Sequence, residues 1–147
     1  MPYKYSSESA KLKESNDKPC FSDYSEKEIK AFRWVFPDIS DSRNFVPMAI
    51  DPQCYSARRK CGGWALSFHT TEDASIEAWE YIINNRPKHY KKIGTHIASG
   101  TIIKTDGKCS SADNHLHFNM IEYKNVDLSK RFKIITTLAS EEMINSL

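Results

Sequence analysis

The stretch that decides the fold is residues 61–87, CGGWALSFHTTEDASIEAWEYIINNRP. Its glycine pair breaks regular secondary structure. The alternation of side chains from Trp64 to His69 then predicts a half-buried strand. A helix follows at once, because Thr70 or Thr71 can cap it and acidic residues fill its first turn, where the helix dipole favours negative charge. The arginine and proline at the end of the stretch close the helix.

Upstream of this stretch, residues 25–36 predict another helix. Ser25 is followed three residues later by an acid, the pattern of a capping box. Ile29, Phe32 and Phe36 then recur at helical spacing before a proline. Residues 37–60 carry three prolines and predict a long irregular connection.

Downstream of residue 87 the sequence predicts strands. Thr95 to Ile103, Asn114 to Tyr123 and Phe132 to Leu138 are rich in β-branched and aromatic residues, and Ser140 can cap a short final helix. The fold class predicted is therefore α+β, with a small antiparallel sheet of three to five strands and two or three helices packed mainly on one face.

The first two of these strands are predicted to pair with each other. In the register that best separates polar from apolar residues, four polar side chains lie on one face. The His96–Glu122 pair lies on the other face. The polar face then contains Ser99, Thr101, His117 and Asn119, and Ser67 and His69 join it if their strand is a neighbour.

Composition fits one ordinary domain of 147 residues with net charge +2. Residues 1–20 predict a flexible N-terminal tail, and residues 21–147 a single α+β domain. The small net charge excludes nucleic-acid binding by total charge alone. No apolar run approaches the ~20 residues of a membrane span, and residues 1–17 have no apolar signal core, which predicts a cytoplasmic protein without a membrane partner.

The cysteines and histidines raise two further questions. Without a signal sequence we expect reduced thiols, although an even number of cysteines also allows disulfides. The residues with metal-ligating side chains lack the close ligand pairs of familiar zinc sites, so we predict no metal and no cofactor. They are Cys54, Cys61, Cys109, His115 and His117; Cys20 is the remaining cysteine.

Four residues are catalytic candidates. His117 is a general acid or base, Asn119 and Ser67 can orient a substrate, and Glu122 can hold an imidazole in one tautomer. Because polar residues alternate on any solvated sheet face, a purely structural interpretation of the same pattern stays open.

Basic residues supply the ligand-binding candidates. One segment interleaves cations with an aromatic ring and could hold phosphate, and a second cluster precedes the glycine pair. The candidates are Arg86, Lys88, Tyr90 and Lys91 in the first, and Arg58 and Arg59 in the second. The alternative is a solvated loop whose charges balance the acidic helix.

One family resemblance rests on three residues. Arg33, the serine of the Ala65–Phe68 strand and Glu122 occur in the order that resembles the Arg–Ser–Glu order of ADP-ribosyltransferase folds. The resemblance covers about the last two-thirds of the chain. It implies that the three residues hold NAD and orient its ribose.

Two hypotheses about function follow from these patterns. The first is an intracellular interaction or regulatory module that binds a protein partner through its tail and basic loops. The second is a small enzyme acting on a nucleotide or nucleic acid, in one form ADP-ribosyltransferase-like, with His117 as acid/base. No catalytic pattern in the chain is specific, which favours the first.

Overall fold

The part of the chain described in this computed structural model is residues 3–146, and all of its strands belong to one antiparallel sheet. The strands are β1 Ile29–Val35, β2 Leu66–His69, β3 His96–Ile102, β4 Gly107–Cys109, β5 His117–Glu122 and β6 Lys133–Thr137. They lie in the order β4-β5-β2-β1-β3-β6. The helices are α1 Ser6–Ser9, α2 Tyr55–Arg58, α3 Glu72–Asn85, α4 Tyr90–Ile93 and α5 Glu141–Asn145.

The prediction of three to five strands with two or three helices is therefore wrong. Residues 3–146 form six strands and five helices, and among these helices α3 alone exceeds six residues. The extra strands are β4, which is only three residues long, and β1, which lies within the predicted helix of residues 25–36.

Burial on both faces explains why β1 reads as a helix. It lies between β2 and β3, and both Ala31 and Phe32 are buried although their side chains point to opposite sides of the sheet. A central strand buried on both sides loses the alternation of polar and apolar residues. The helical spacing of Ile29, Phe32 and Phe36 is then a coincidence of that apolar run.

The predicted direct pairing of the two strands after residue 87 is also wrong. Two other strands, β2 and β1, lie between β5 and β3. Ser99 and Thr101 are therefore not beside His117. The predicted His96–Glu122 pair does not form, because these residues belong to strands on opposite sides of the central pair.

Two of the three predicted helix caps are confirmed, whereas the Ser25 capping box is wrong because Ser25 instead bridges to Cys109. α3 begins after Thr71, whose hydroxyl accepts a hydrogen bond from the amide of Ala74 at 3.2 Å. Ser140 caps α5 in the same way, accepting from the amide of Met143. Strands β2 and β6 also lie within their predicted ranges.

The sheet has two differently covered sides. On the helix face, the side to which Trp34 points, α3 packs through Trp79 and Ile83. On the opposite side, the core face, Phe68 and Phe118 pack beneath residues from the connecting loops. Because α3 covers only part of the helix face, β2 and β5 keep half-exposed polar residues there.

The N-terminal segment lies alongside the end of β5, where Tyr3 forms an antiparallel bridge with Tyr123. The ring of Tyr3 stacks on Tyr123 with centroids 5.7 Å apart, and Lys4 Nζ lies 2.8 Å from a Glu122 oxygen. Residues 1, 2 and 147 of the predicted tail and domain lie outside the described residues. The flexibility of residues 1–20 in solution stays a prediction.

A disulfide joins Cys20 to Cys61, so the expectation of reduced thiols is wrong for this pair. Cys54 and Cys109 are free. Disulfides are typical of oxidising compartments, and the cytoplasmic location stays a prediction. No helix within residues 3–146 has both the length and the apolar character that crossing a membrane requires.

Candidate active site

Four polar side chains form a strip on the helix face. Ser67 and His69 of β2 lie directly opposite Asn119 and His117 of β5 in the antiparallel ladder. Directly opposite residues project to the same side of a sheet, so the four side chains are neighbours. We call this set the polar strip. It confirms the prediction that Ser67 and His69 join His117 and Asn119 if their strands are adjacent.

The two imidazoles of the polar strip are in contact but differ in exposure. Their ring centroids are 5.6 Å apart with an edge-to-face angle of 68°. His69 is only 6% exposed and also lies 5.6 Å from the indole of Trp34. The side chain of His117 remains 33% exposed, so it is the more accessible of the two rings.

Asp113 is fixed beside His117. Its Oδ1 accepts hydrogen bonds from the amides of His115 and His117, and its Oδ2 lies 3.7 Å from Nδ1 of His117. These amides, that of His117 first, hold the pKa of Asp113 below its usual value, so the carboxylate is charged. A charged carboxylate near Nδ1 favours a proton there and leaves Nε2 of His117 free to exchange protons with a substrate.

The protonation of the two histidines differs for physical reasons. Burial, and after it the neighbouring charge on His117, together lower the pKa of His69 to about 4. Burial also lowers the pKa of His117, but Asp113 opposes that effect. Because His117 is more exposed and has its own carboxylate, it holds a proton more readily than His69 does.

Ser67 and Asn119 form the other half of the polar strip. The Ser67 hydroxyl donates to Oδ1 of Asn119 at 3.3 Å, and Ser67 is exposed. The backbone amide of Asn119 donates to the hydroxyl of Ser110. The Ser67 hydroxyl and the Asn119 side-chain amide can together bind a polar substrate beside the imidazoles.

At the Asn119 end, residues from distant parts of the chain pack against the polar strip. A methyl group placed on Gly62 would lie 3.4 Å from Nδ2 of Asn119, so the turn after Cys61 packs over that side chain. Tyr24 lies near Asn119, and burial raises the pKa of its phenol. The disulfide bonds the residue before this turn to the segment that carries Tyr24.

Glu122 is not part of the polar strip. Its side chain points to the core face, is 2% exposed, and pairs with Lys4 at 2.8 Å. Burial raises the pKa of Glu122, while Lys4 opposes that effect.

The basic segment after α3 forms its own surface crevice of about 650 Å³. Its lining consists of Arg86, Pro87, Lys88, His89, Lys91 and Lys92. The polar strip contributes nothing to that lining. Tyr90 instead turns inward and packs beside Trp79 and Ile83.

Both arginines of the second basic cluster are exposed, but Arg58 also makes contacts within the fold. The guanidinium of Arg58 lies 5.3 Å from the Trp64 ring and donates to the carbonyl of Ala49 at 2.8 Å, so Arg58 braces the local fold. Arg59 is exposed.

The cysteines and histidines considered for metal binding do not converge. No group of three or more metal-ligating side chains occurs within the described residues. Cys61 is bonded to Cys20, and burial raises the pKa of the Cys109 thiol to about 11.

The three residues of the ADP-ribosyltransferase resemblance are not brought together. Arg33 points to the core face, where it donates to the carbonyls of Asn44 and Ser67 at 2.8 Å. The Ser67 side chain is on the helix face, and Glu122 is at the far end of β5.

Asp113 was not predicted as a site residue, and His69 was predicted only to lie on the polar face, with no catalytic role. Asp113 precedes His117 by four residues in a loop, a spacing with no meaning until the loop is seen to fold back on the strand. The pairing of β2 with β5 fulfils the condition on which the placement of His69 depended. Comparisons with protein-family models, curated proteins and solved structures gave no match for this chain.

Proposed function

We propose that this protein is a small enzyme acting on a nucleotide or nucleic acid, with His117 as its acid/base residue. The observation that supports the proposal is the clustering of Asp113, His117 and His69, with the His117 side chain partly exposed. A charged carboxylate close to an imidazole, with a second titratable ring in contact, suits proton-transfer catalysis.

The different environments of the two histidines support separate roles. Neighbouring titratable groups whose pKa values are pushed apart can act as an acid and a base in the same pH range. Above about pH 4 His69 is neutral and can accept a proton. His117, with Asp113 beside it, is the better proton donor.

The direct test is turnover of candidate substrates by the purified protein. NAD, nucleoside phosphates and single-stranded oligonucleotides are incubated separately and the products are identified by mass spectrometry. His117→Ala should reduce the turnover of whichever substrate reacts by about 100-fold or more, because positioned proton transfer contributes about 10²–10⁴-fold.

A matched control is available on the same segment. His115→Ala removes an exposed ring two residues away and should leave both turnover and Tm unchanged. Turnover that survives His117→Ala, or no turnover of any of these substrates, contradicts the proposal.

The crevice after α3 favours a second function, binding of an acidic protein partner. Its lining supplies four cations on one exposed surface, whereas the N-terminal segment is occupied by contacts with its own domain. Lys88→Glu with Lys91→Glu should abolish salt-sensitive binding of a glutamate-rich peptide, measured by fluorescence anisotropy. Arg59→Glu with Lys60→Glu is the control, and equal losses in both variants contradict a role for this crevice.

A further inference from the structure

The surroundings of the polar strip narrow its substrate class. Lys27 lies at the Asn119 end, with Nζ 3.4 Å from the carbonyl of Ser110. Exposed Arg59 and Lys60 lead into the turn that packs over Asn119. Cations therefore occur near this end of the polar strip, and cations suit a phosphate group.

The other end of the polar strip is aromatic. Trp34 lies beside His69 and is half-buried. Its indole NH already donates to the carbonyl of Ser75 at 3.0 Å, so the ring offers an apolar surface and no free donor. Cations at one end and an aromatic ring at the other are the combination that binds single-stranded nucleic acid.

The source of the attacking hydroxyl narrows the substrate class further. The Ser67 hydroxyl donates to Asn119 and not to either imidazole. A serine without a base as its hydrogen-bond partner is a weak nucleophile. The attacking hydroxyl is then best supplied by the substrate, and in RNA the 2′-hydroxyl lies next to the phosphate.

We propose that the polar strip cleaves a single-stranded RNA phosphodiester by attack of the adjacent 2′-hydroxyl. This inference rests on the proposed acid/base function of His117 and His69.

The proposed step balances without a further reactant. Neutral His69 takes the proton of the 2′-hydroxyl while the 2′-oxygen forms a bond to phosphorus. The bond between phosphorus and the 5′-oxygen breaks, and that oxygen receives the proton from Nε2 of His117. The products are a 2′,3′-cyclic phosphate and a 5′-hydroxyl, and transfer of the proton from His69 back to His117 through solvent restores the enzyme.

The step also predicts a pH profile. His69 must be neutral and His117 protonated, and the charged or titratable groups acting on these rings are each other and Asp113. The rate should rise as pH passes about 4, where His69 loses its proton. It should fall again as pH passes the pKa of His117, which lies below the usual 6.5.

The experiment uses the full chain and a short, end-labelled single-stranded RNA that contains all four nucleotides. The matched substrates are the same sequence as DNA and as 2′-O-methyl RNA. We expect cleavage of the RNA alone, cyclic phosphate ends by mass spectrometry, and a loss of about 100-fold or more in His117→Ala. His69→Gln should lose activity similarly, with circular dichroism checking that this variant folds.

Three outcomes would overturn the inference: intact RNA, equal cleavage of the DNA or 2′-O-methyl strand, and cleavage that persists in His117→Ala. If RNA stays intact while NAD or a mononucleotide is turned over in a His117-dependent way, the substrate class is wrong and the proposed function stands. If none of the substrates reacts, both fail.

Discussion

At the scale of single residues, the two glycines after Cys61 are chemically alike but placed differently. A methyl group on Gly63 would lie 1.9 Å from the carbonyl oxygen of Ala57, so the backbone would have to move. On Gly62 the nearest contact is 3.4 Å, to the side chain of Asn119. Gly63→Ala should therefore lower the free energy of unfolding by about 2 kcal/mol or more, and Gly62→Ala by well under ~1 kcal/mol. Urea denaturation of the two variants checks this, and equal losses would contradict the geometry.

Also at the residue scale, His69 links stability to pH. Its folded pKa of about 4 lies below the ordinary value of 6.5, so between these values the unfolded chain binds a proton that the folded chain does not. Stability should therefore fall as pH decreases through this window, with His69 contributing at most roughly 3 kcal/mol. His69→Gln should remove that part of the loss in denaturation curves measured from pH 7 to about 4. A pH dependence identical to that of the wild type would show that the ring titrates normally when buried.

At the scale of elements, α3 depends on its first turn. Thr71 accepts from the amide of Ala74, and neighbouring Thr70 makes no cap bond among those described for α3. Thr71→Ala should lower the free energy of unfolding by about 1 kcal/mol, while Thr70→Ala should cost about half of that or less. Thermal unfolding by circular dichroism compares the two. A larger loss for Thr70→Ala would mean that the helix begins elsewhere.

The same element shows what the sequence can predict. Capping is encoded by residues a few positions apart, so Thr71 and Ser140 could be placed from the sequence. Strand β1 could not, because its burial on both faces depends on neighbours that are distant in sequence. The pairing of Ser67 with Asn119, and hence the polar strip, depends on contacts 52 residues apart. Only the polar residue types of the strip were visible locally.

At the scale of the whole molecule, the disulfide ties the N-terminal segment to the domain. Cys20 and Cys61 are 41 residues apart, and closing a loop of that length restricts the unfolded chain. Cys20→Ser with Cys61→Ser should lower the free energy of unfolding by about 2–4 kcal/mol. Cys54→Ser, at a free thiol, is the control and should cost far less. Denatured, unreduced protein should show two reactive thiols from the free cysteines, and four would contradict the bond.

The central claim at this scale is that the fold brings two histidines from distant strands into an acid/base pair. NMR titration of the imidazole nitrogens in the full chain tests it most directly, with His69→Gln and His117→Ala assigning the signals. We predict that His69 stays neutral down to about pH 4. His117 should lose its proton at a higher pH than His69, yet below 6.5. Two rings that titrate together at or above 6.5 would contradict the claim.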